Sequence, residues 1–165
     1  PYQFPEKLIP HTIINALCGE ELPVYGNGMQ IRDWLHVEDH ISALLKVSQS
    51  KKINETYVIG GNSEMKNIEV IKSICLYLDK KISKKPNNIS SFSELISYVE
   101  DRPGHDRRYA INSSKIKSDL SWAPKINFDE GLKQTIDWYI DNRMWWERVL
   151  SGEYRLTRVG LNNDK

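Results

Sequence analysis

The chain has 165 residues, 39% of them hydrophobic, and sets 23 basic against 22 acidic side chains for a net charge of +1. That length suits one domain able to bury roughly 70% of its unfolded surface, and the balanced charge excludes a nucleic-acid binder that works by blanketing phosphates. The apolar runs are a handful of residues, far short of the roughly 20 that a membrane helix needs, so no membrane partner is expected.

The opening Pro1-Tyr2-Gln3-Phe4-Pro5-Glu6-Lys7 shows no basic stretch followed by an apolar one, so no signal peptide is read there. With no initiator methionine, the chain reads as a piece of a longer polypeptide. Cys18 and Cys75 are the two cysteines; both fall in helical patterns and are read as reduced packing thiols of a cytoplasmic protein. Pro5 marks a possible helix start. Leu8, Ile9, Ile13, Ile14 and Leu17 recur at helical spacing, Pro10 fits only the first turn or a kink, and Gly19 offers a stop. Leu22–Tyr25 reads as a strand, Gly26-Asn27-Gly28 as a turn, and Ile31–His36 as extended. From Val37 to Ser50 the stripe Ile41, Leu44, Leu45 predicts an amphipathic helix with acidic Glu38 and Asp39 at its positive end.

Thr56-Tyr57-Val58-Ile59 reads as a strand buried on both faces, ended by Gly60-Gly61. Asn67 is the expected cap of a helix carrying Ile68, Ile71, Ile74 and Leu78. Lys80–Ser93 reads as a polar surface loop and Ile96–Val99 as a strand. Asn112 caps a short helix through Leu120, and Asp129 opens a last helix with Leu132, Ile136, Tyr139 and Ile140 on one face. Helices alternate with short strands, so the fold class is α/β.

The phrase Asp101-Arg102-Pro103-Gly104-His105-Asp106-Arg107-Arg108-Tyr109 holds the densest chemistry. Its arginines are planar forks that suit phosphate oxygens, and Pro103-Gly104 sets a turn that lets a ligand approach the backbone. The alternative is a solvated loop in which Asp101 and Asp106 neutralise the arginines. Arg32 stands in an apolar, strand-like stretch and needs a partner. Asp33 points to the opposite face, which leaves a bound anion or a distant carboxylate. His36-Val37-Glu38-Asp39-His40 lacks the zinc-protease order and a third ligand, so it reads as a helix start and no metal is expected. Tyr77-x-x-x-Lys81 matches a dehydrogenase spacing but lacks a hydroxyl-bearing companion and reads as a coincidence. Ile31 occupies the place of the third glycine after Gly26-x-Gly28, so no dinucleotide fingerprint exists. No phosphate loop or nucleophile elbow occurs either, and no catalytic residue is assigned.

Taken together, Pro1–Pro10, Leu22–Gly28, Ile31–His40, Tyr57–Gly61, Asp101–Tyr109 and Trp122-Ala123-Pro124 resemble the dTDP-glucose 4,6-dehydratases, members of the extended short-chain dehydrogenases. The resemblance implies that residues 1–154 are a carboxyl-terminal nucleotide-sugar-binding domain within an incomplete Rossmann fold, and that 155–165 are a polar tail. It implies an NAD-binding amino-terminal half lying upstream, so that NAD belongs to the complete enzyme and this chain alone binds none. In such enzymes NAD oxidises the sugar at C4, water leaves across C5 and C6, and hydride returns to C6. The resemblance assigns Lys7 and Leu8 to the nucleotide sugar, and Pro23, Val24 and Tyr25 to the thymine. Arg32, Asn67 and Arg102 go to the diphosphate region, His105 to the ribose or phosphates, and Tyr154 to a lesser contact. The alternatives are a non-catalytic nucleotide-sugar-binding module or a fragment of a related epimerase or dehydratase. With its upstream partner half missing, the chain is expected to self-associate through the Ile41 stripe and the open edge of the Thr56–Ile59 strand, or to leave them poorly ordered.

Overall fold

A computed structural model of the chain describes residues 1–152. Helix α1 (Leu8–Cys18) starts three residues after Pro5, keeps Pro10 in its first turn, and ends at Gly19, whose φ of 77° lets its N–H return to the Ala16 carbonyl. Strand β1 (Leu22–Tyr25) follows, then the glycine turn, β2 (Ile31–Asp33) and α2 (Val37–Ser48). The order continues with β3 (Glu64–Lys66), α3 (Asn67–Lys81), β4 (Ile96–Val99), α4 (Ser114–Leu120), α5 (Phe128–Asp141) and α6 (Arg143–Leu150). The α/β class holds, in two small sheets. β1 runs parallel to β4 with Leu22 opposite Ile96, and β2 runs antiparallel to β3 with Ile31 opposite Lys66.

One core joins α1, α3, α5 and β1. Ile13, Leu22, Ile71, Ile74, Leu78, Ile136 and Tyr139 are all fully buried in it, each large aliphatic side chain stabilising the fold by roughly 1.5–3 kcal/mol. Tyr139 also donates its hydroxyl to the Gln3 carbonyl at 2.7 Å, and Trp146 donates Nε1 to the Tyr139 carbonyl at 2.9 Å. The amino-terminal segment is thereby tied to the core. A second, smaller cluster gathers Ala43, Ile116 and Trp122. Buried Asp39 secures it by accepting the Lys125 and Ile126 backbone N–H groups at 3.0 and 2.9 Å.

Several expectations are corrected. Thr56–Ile59 is extended but pairs with no described strand, and Val58 is half exposed. An apolar segment becomes a two-sided buried strand only when neighbours cover both faces. Here it is held from one side, by the Tyr57 hydroxyl on Asp119 and by Lys115 on the Thr56 carbonyl. The α3 cap is Lys66, one residue before Asn67, and the Glu69 carboxylate accepts the Lys66 N–H at 3.1 Å. The polar stretch 80–93 is not all loop, because Phe92 is buried in the core while Asp79 accepts from Ser91 Oγ and the Phe92 N–H. The α4 cap is Ser113, one residue after Asn112, although Asn112 accepts the Ser114 N–H at 3.0 Å. α5 begins at Phe128 with Asn127 as its cap rather than at Asp129. Helix α6 was not assigned from the sequence, although Trp145, Trp146 and Val149 share its inner face. Cys75 is buried as expected, but Cys18 is exposed. The α2 stripe also lies open, with Ile41, Leu44 and Leu45 exposed by 49, 50 and 55%. No helix among the described residues is long and apolar enough to cross a membrane.

Candidate functional site

A cleft of about 720 Å³ opens between the start of α1, the end of β1, β2 and the Asp101–Tyr109 segment. Strand geometry sorts the β1 side chains. Residues alternate faces, so Pro23 and Tyr25 reach the cleft while Leu22 and Val24 enter the core. Val24 is 1% exposed. Val24 was expected to frame the base with Pro23 and Tyr25, but its side chain lies in the core and it does not line the cleft. From α1 and its lead-in come Lys7 and Leu8, from β2 Arg32, from the first turn of α3 Asn67, and from the charged segment Arg102 and His105. Eight of the ten expected residues thus line one cavity, although they span residues 7 to 105. Tyr154 lies outside the described residues.

The two arginines carry the electrostatics. Asp101 and Asp106 do not neutralise them. Asp101 accepts from His105 Nδ1 at 2.6 Å, from Gln30 Nε2 at 2.9 Å and from the Arg102 N–H at 2.9 Å. The His105 hydrogen bond, with help from the other two, holds the Asp101 carboxyl below its ordinary range. Asp106 accepts from the Tyr109 hydroxyl. Arg32 donates Nη1 to its own neighbour's carbonyl, that of Ile31, at 2.7 Å and stands over Tyr109; Arg102 stands 5.3 Å from the Tyr25 ring centroid. Among the described residues neither guanidinium meets a carboxylate. Both also line an adjoining recess of about 400 Å³ with Pro103, Gly104 and His105. Among the described residues, the distant carboxylate that was one of the two partners expected for Arg32 is thus not found. Arg108 leaves the site, pairing with both Glu64 oxygens at 2.8 and 2.9 Å, and Arg107 does not line the cleft.

Backbone closure explains why these parts stay together. The Ile31 N–H donates to the Arg107 carbonyl at 2.9 Å, and the Tyr109 N–H donates back to Ile31 at 3.0 Å. Asp33 accepts the Gly61 and Ser63 N–H groups at 2.8 and 2.6 Å, which fixes the far end of β2. Gly61 must be glycine, because a Cβ there would stand 1.9 Å from the Trp34 carbonyl oxygen. Sequence reasoning assigned no role to Gln3, Glu6, His11, Thr12 and Trp34, which also line the cleft; the lead-in to α1, α1 itself and the end of β2 bring them there. It also missed the Asp101–His105 contact, whose four-residue spacing inside one phrase was the available signal. His36 receives the Glu38 N–H as the α2 cap, and no metal-ligating cluster occurs among the described residues.

A family model described as GDP-mannose 4,6 dehydratase matches residues 1–135. The chain belongs to this family. It is 57% identical over 98% of its length to a dTDP-glucose 4,6-dehydratase of Escherichia coli, and 54% identical over 97% to one of Neisseria meningitidis. It also superposes on the crystal structure of a dTDP-glucose 4,6-dehydratase from Bacillus anthracis in complex with NAD, with a TM-score of 0.79, 46% identity and 90% of the chain covered. The chain spans 44%, 45% and 44% of the length of these relatives. In this member of the GDP-mannose 4,6 dehydratase family the Tyr77-x-x-x-Lys81 spacing serves packing. Tyr77 and Lys81 both donate to Asp137 of α5, at 3.0 and 2.6 Å. Burial and then the Asp137 bond push the Tyr77 phenol up, away from the easily ionised state that proton abstraction would need.

Proposed function

We propose that the chain is the nucleotide-sugar-binding part of an NAD-dependent dTDP-glucose 4,6-dehydratase. The observation that carries the reading is the pair Arg32 and Arg102, two guanidiniums on one cleft that meet no carboxylate among the described residues. A diphosphate's negative oxygens match two planar forks. Tyr25 and Pro23 then offer a flat apolar wall for the base, Asn67 a neutral amide, and Lys7 and Leu8 the sugar end. The names of the relatives support the same substrate class.

The described residues do not suit NAD at their one glycine-rich turn. A dinucleotide fingerprint leads from a strand into a helix whose N-terminus receives the phosphates. Gly26-Asn27-Gly28 leads instead from β1 towards β2. NAD would therefore be held by residues outside the cleft described, supplied by an upstream partner half, and the 165-residue chain is not itself a catalyst. No membrane or nucleic-acid partner enters this reading, and its setting is the cytoplasm. Calorimetric titration with thymidine diphosphate tests it, with saturable binding expected; no heat of binding at millimolar nucleotide would overturn it. Incubation with NAD and dTDP-glucose is expected to give no 4-keto-6-deoxy product.

A further inference from the structure

His105 is 5% exposed at its side chain, yet it lines both the cleft and the adjoining recess. Its Nδ1 is occupied by Asp101, and Nε2 has no hydrogen-bond partner among the described residues. Asp101 is itself a built feature. One of its oxygens, Oδ1, accepts from both the His105 ring and the Arg102 N–H, while Oδ2 accepts from Gln30 Nε2. Gly26 makes room for it, since a Cβ there would stand 2.8 Å from Oδ2. Gln30 is buried, and turning its amide towards Asp101 leaves its Oε1 without a partner. An orphaned buried acceptor is costly and calls for a reason.

We propose that Asp101, backed by Gln30, is a positioning residue that keeps the His105 proton on Nδ1 and presents Nε2 to the cleft as an acceptor for a ligand hydroxyl. A carboxylate can only accept, so the shared proton sits on the imidazole, and the lone pair of the neutral ring is left on Nε2. Free neutral histidine favours the opposite tautomer, with its proton on Nε2. The arrangement therefore selects. Arg32 and Arg102 supply donors to the same cleft, and a pentose hydroxyl beside a diphosphate needs what they lack, an acceptor. The inference rests on the nucleotide-sugar reading for the identity of the hydroxyl, and not for the tautomer.

Long-range proton–nitrogen correlation spectra of the ligand-free full chain at about pH 8, above the ordinary histidine range, read the tautomer directly. His105 is expected to show a protonated Nδ1 and a bare Nε2, and Asp101→Ala to return it to the Nε2–H form. A bare Nδ1 in the unsubstituted chain, or an imidazolium with both nitrogens protonated, would overturn the proposal. The second measurement is affinity for thymidine diphosphate in a cycle of Asp101→Ala, His105→Ala and both together. Each single change is expected to weaken binding about 5- to 10-fold, and Asp101→Ala to cost almost nothing further once His105 is gone. Additive losses would mean that Asp101 acts on the fold and not through His105. If the unsubstituted chain binds no thymidine diphosphate, the nucleotide-sugar reading fails and the hydroxyl acceptor role with it, while the ligand-free spectrum still decides the tautomer.

Discussion

The guanidinium carbon of Arg32 stands 4.5 Å from the ring centroid of Tyr109, eight tenths of an ångström closer than Arg102 stands to Tyr25. A cation over an aromatic face is held by the ring quadrupole. Tyr109 is aimed by Asp106, and each arginine rests on an aromatic shelf rather than on a carboxylate.

Arg102→Lys keeps the charge and removes the planar fork. The expected loss of thymidine diphosphate affinity is about 5- to 150-fold, equivalent to about 1–3 kcal/mol for a charge-assisted hydrogen bond. Arg32→Lys is expected to behave alike. Isothermal titration of both variants is the measurement, and unchanged binding in both would move the anion site elsewhere.

The Tyr77–Asp137–Lys81 contact binds α3 to α5, so its loss concerns stability alone. Tyr77→Phe is expected to lower the unfolding free energy by about 0.5–1.5 kcal/mol in urea titrations, with thymidine diphosphate affinity unchanged. A tenfold weaker nucleotide affinity in this variant would show that the pair has a second role.

Tyr139 supplies a pH dependence. Burial pushes its phenol up to about 12 from an ordinary value of 10. A pKa raised on folding contributes stability that is present below pH 10 and is lost as pH climbs from 10 towards 12. Unfolding free energies measured across that window are expected to fall, and Tyr139→Phe, already less stable at neutral pH, to show a shallower fall.

The exposed α2 stripe predicts association. With Ile41, Leu44 and Leu45 about half exposed on one helix face, the 165-residue chain is expected to sediment as concentration-dependent oligomers. The double change Leu44→Glu and Leu45→Glu is expected to return it to a monomer. A monodisperse monomer before substitution would count against the stripe as an adhesive surface.

Much of this protein follows from its sequence by itself. Ile68, Ile71, Ile74 and Leu78 declare a buried helix face by period, Gly19 ends α1 because left-handed backbone favours glycine, and Ile96–Val99 reads as a short strand. These are local rules, in which neighbours along the chain carry the whole cause. The grouping of Asp101 to Tyr109 likewise concentrates planar arginine forks before any folding is known. Contacts between distant residues decided the rest. Thr56–Ile59 has a strand's composition but no strand beside it, and Val24 turned from the cleft because β1 pairs with β4 in one register. The arginines of a single phrase parted company, Arg108 going to Glu64 and Arg102 to the cleft. A charge's partner is set by which segments fold against it, 44 residues away for Arg108, and no spacing along the chain encodes that distance.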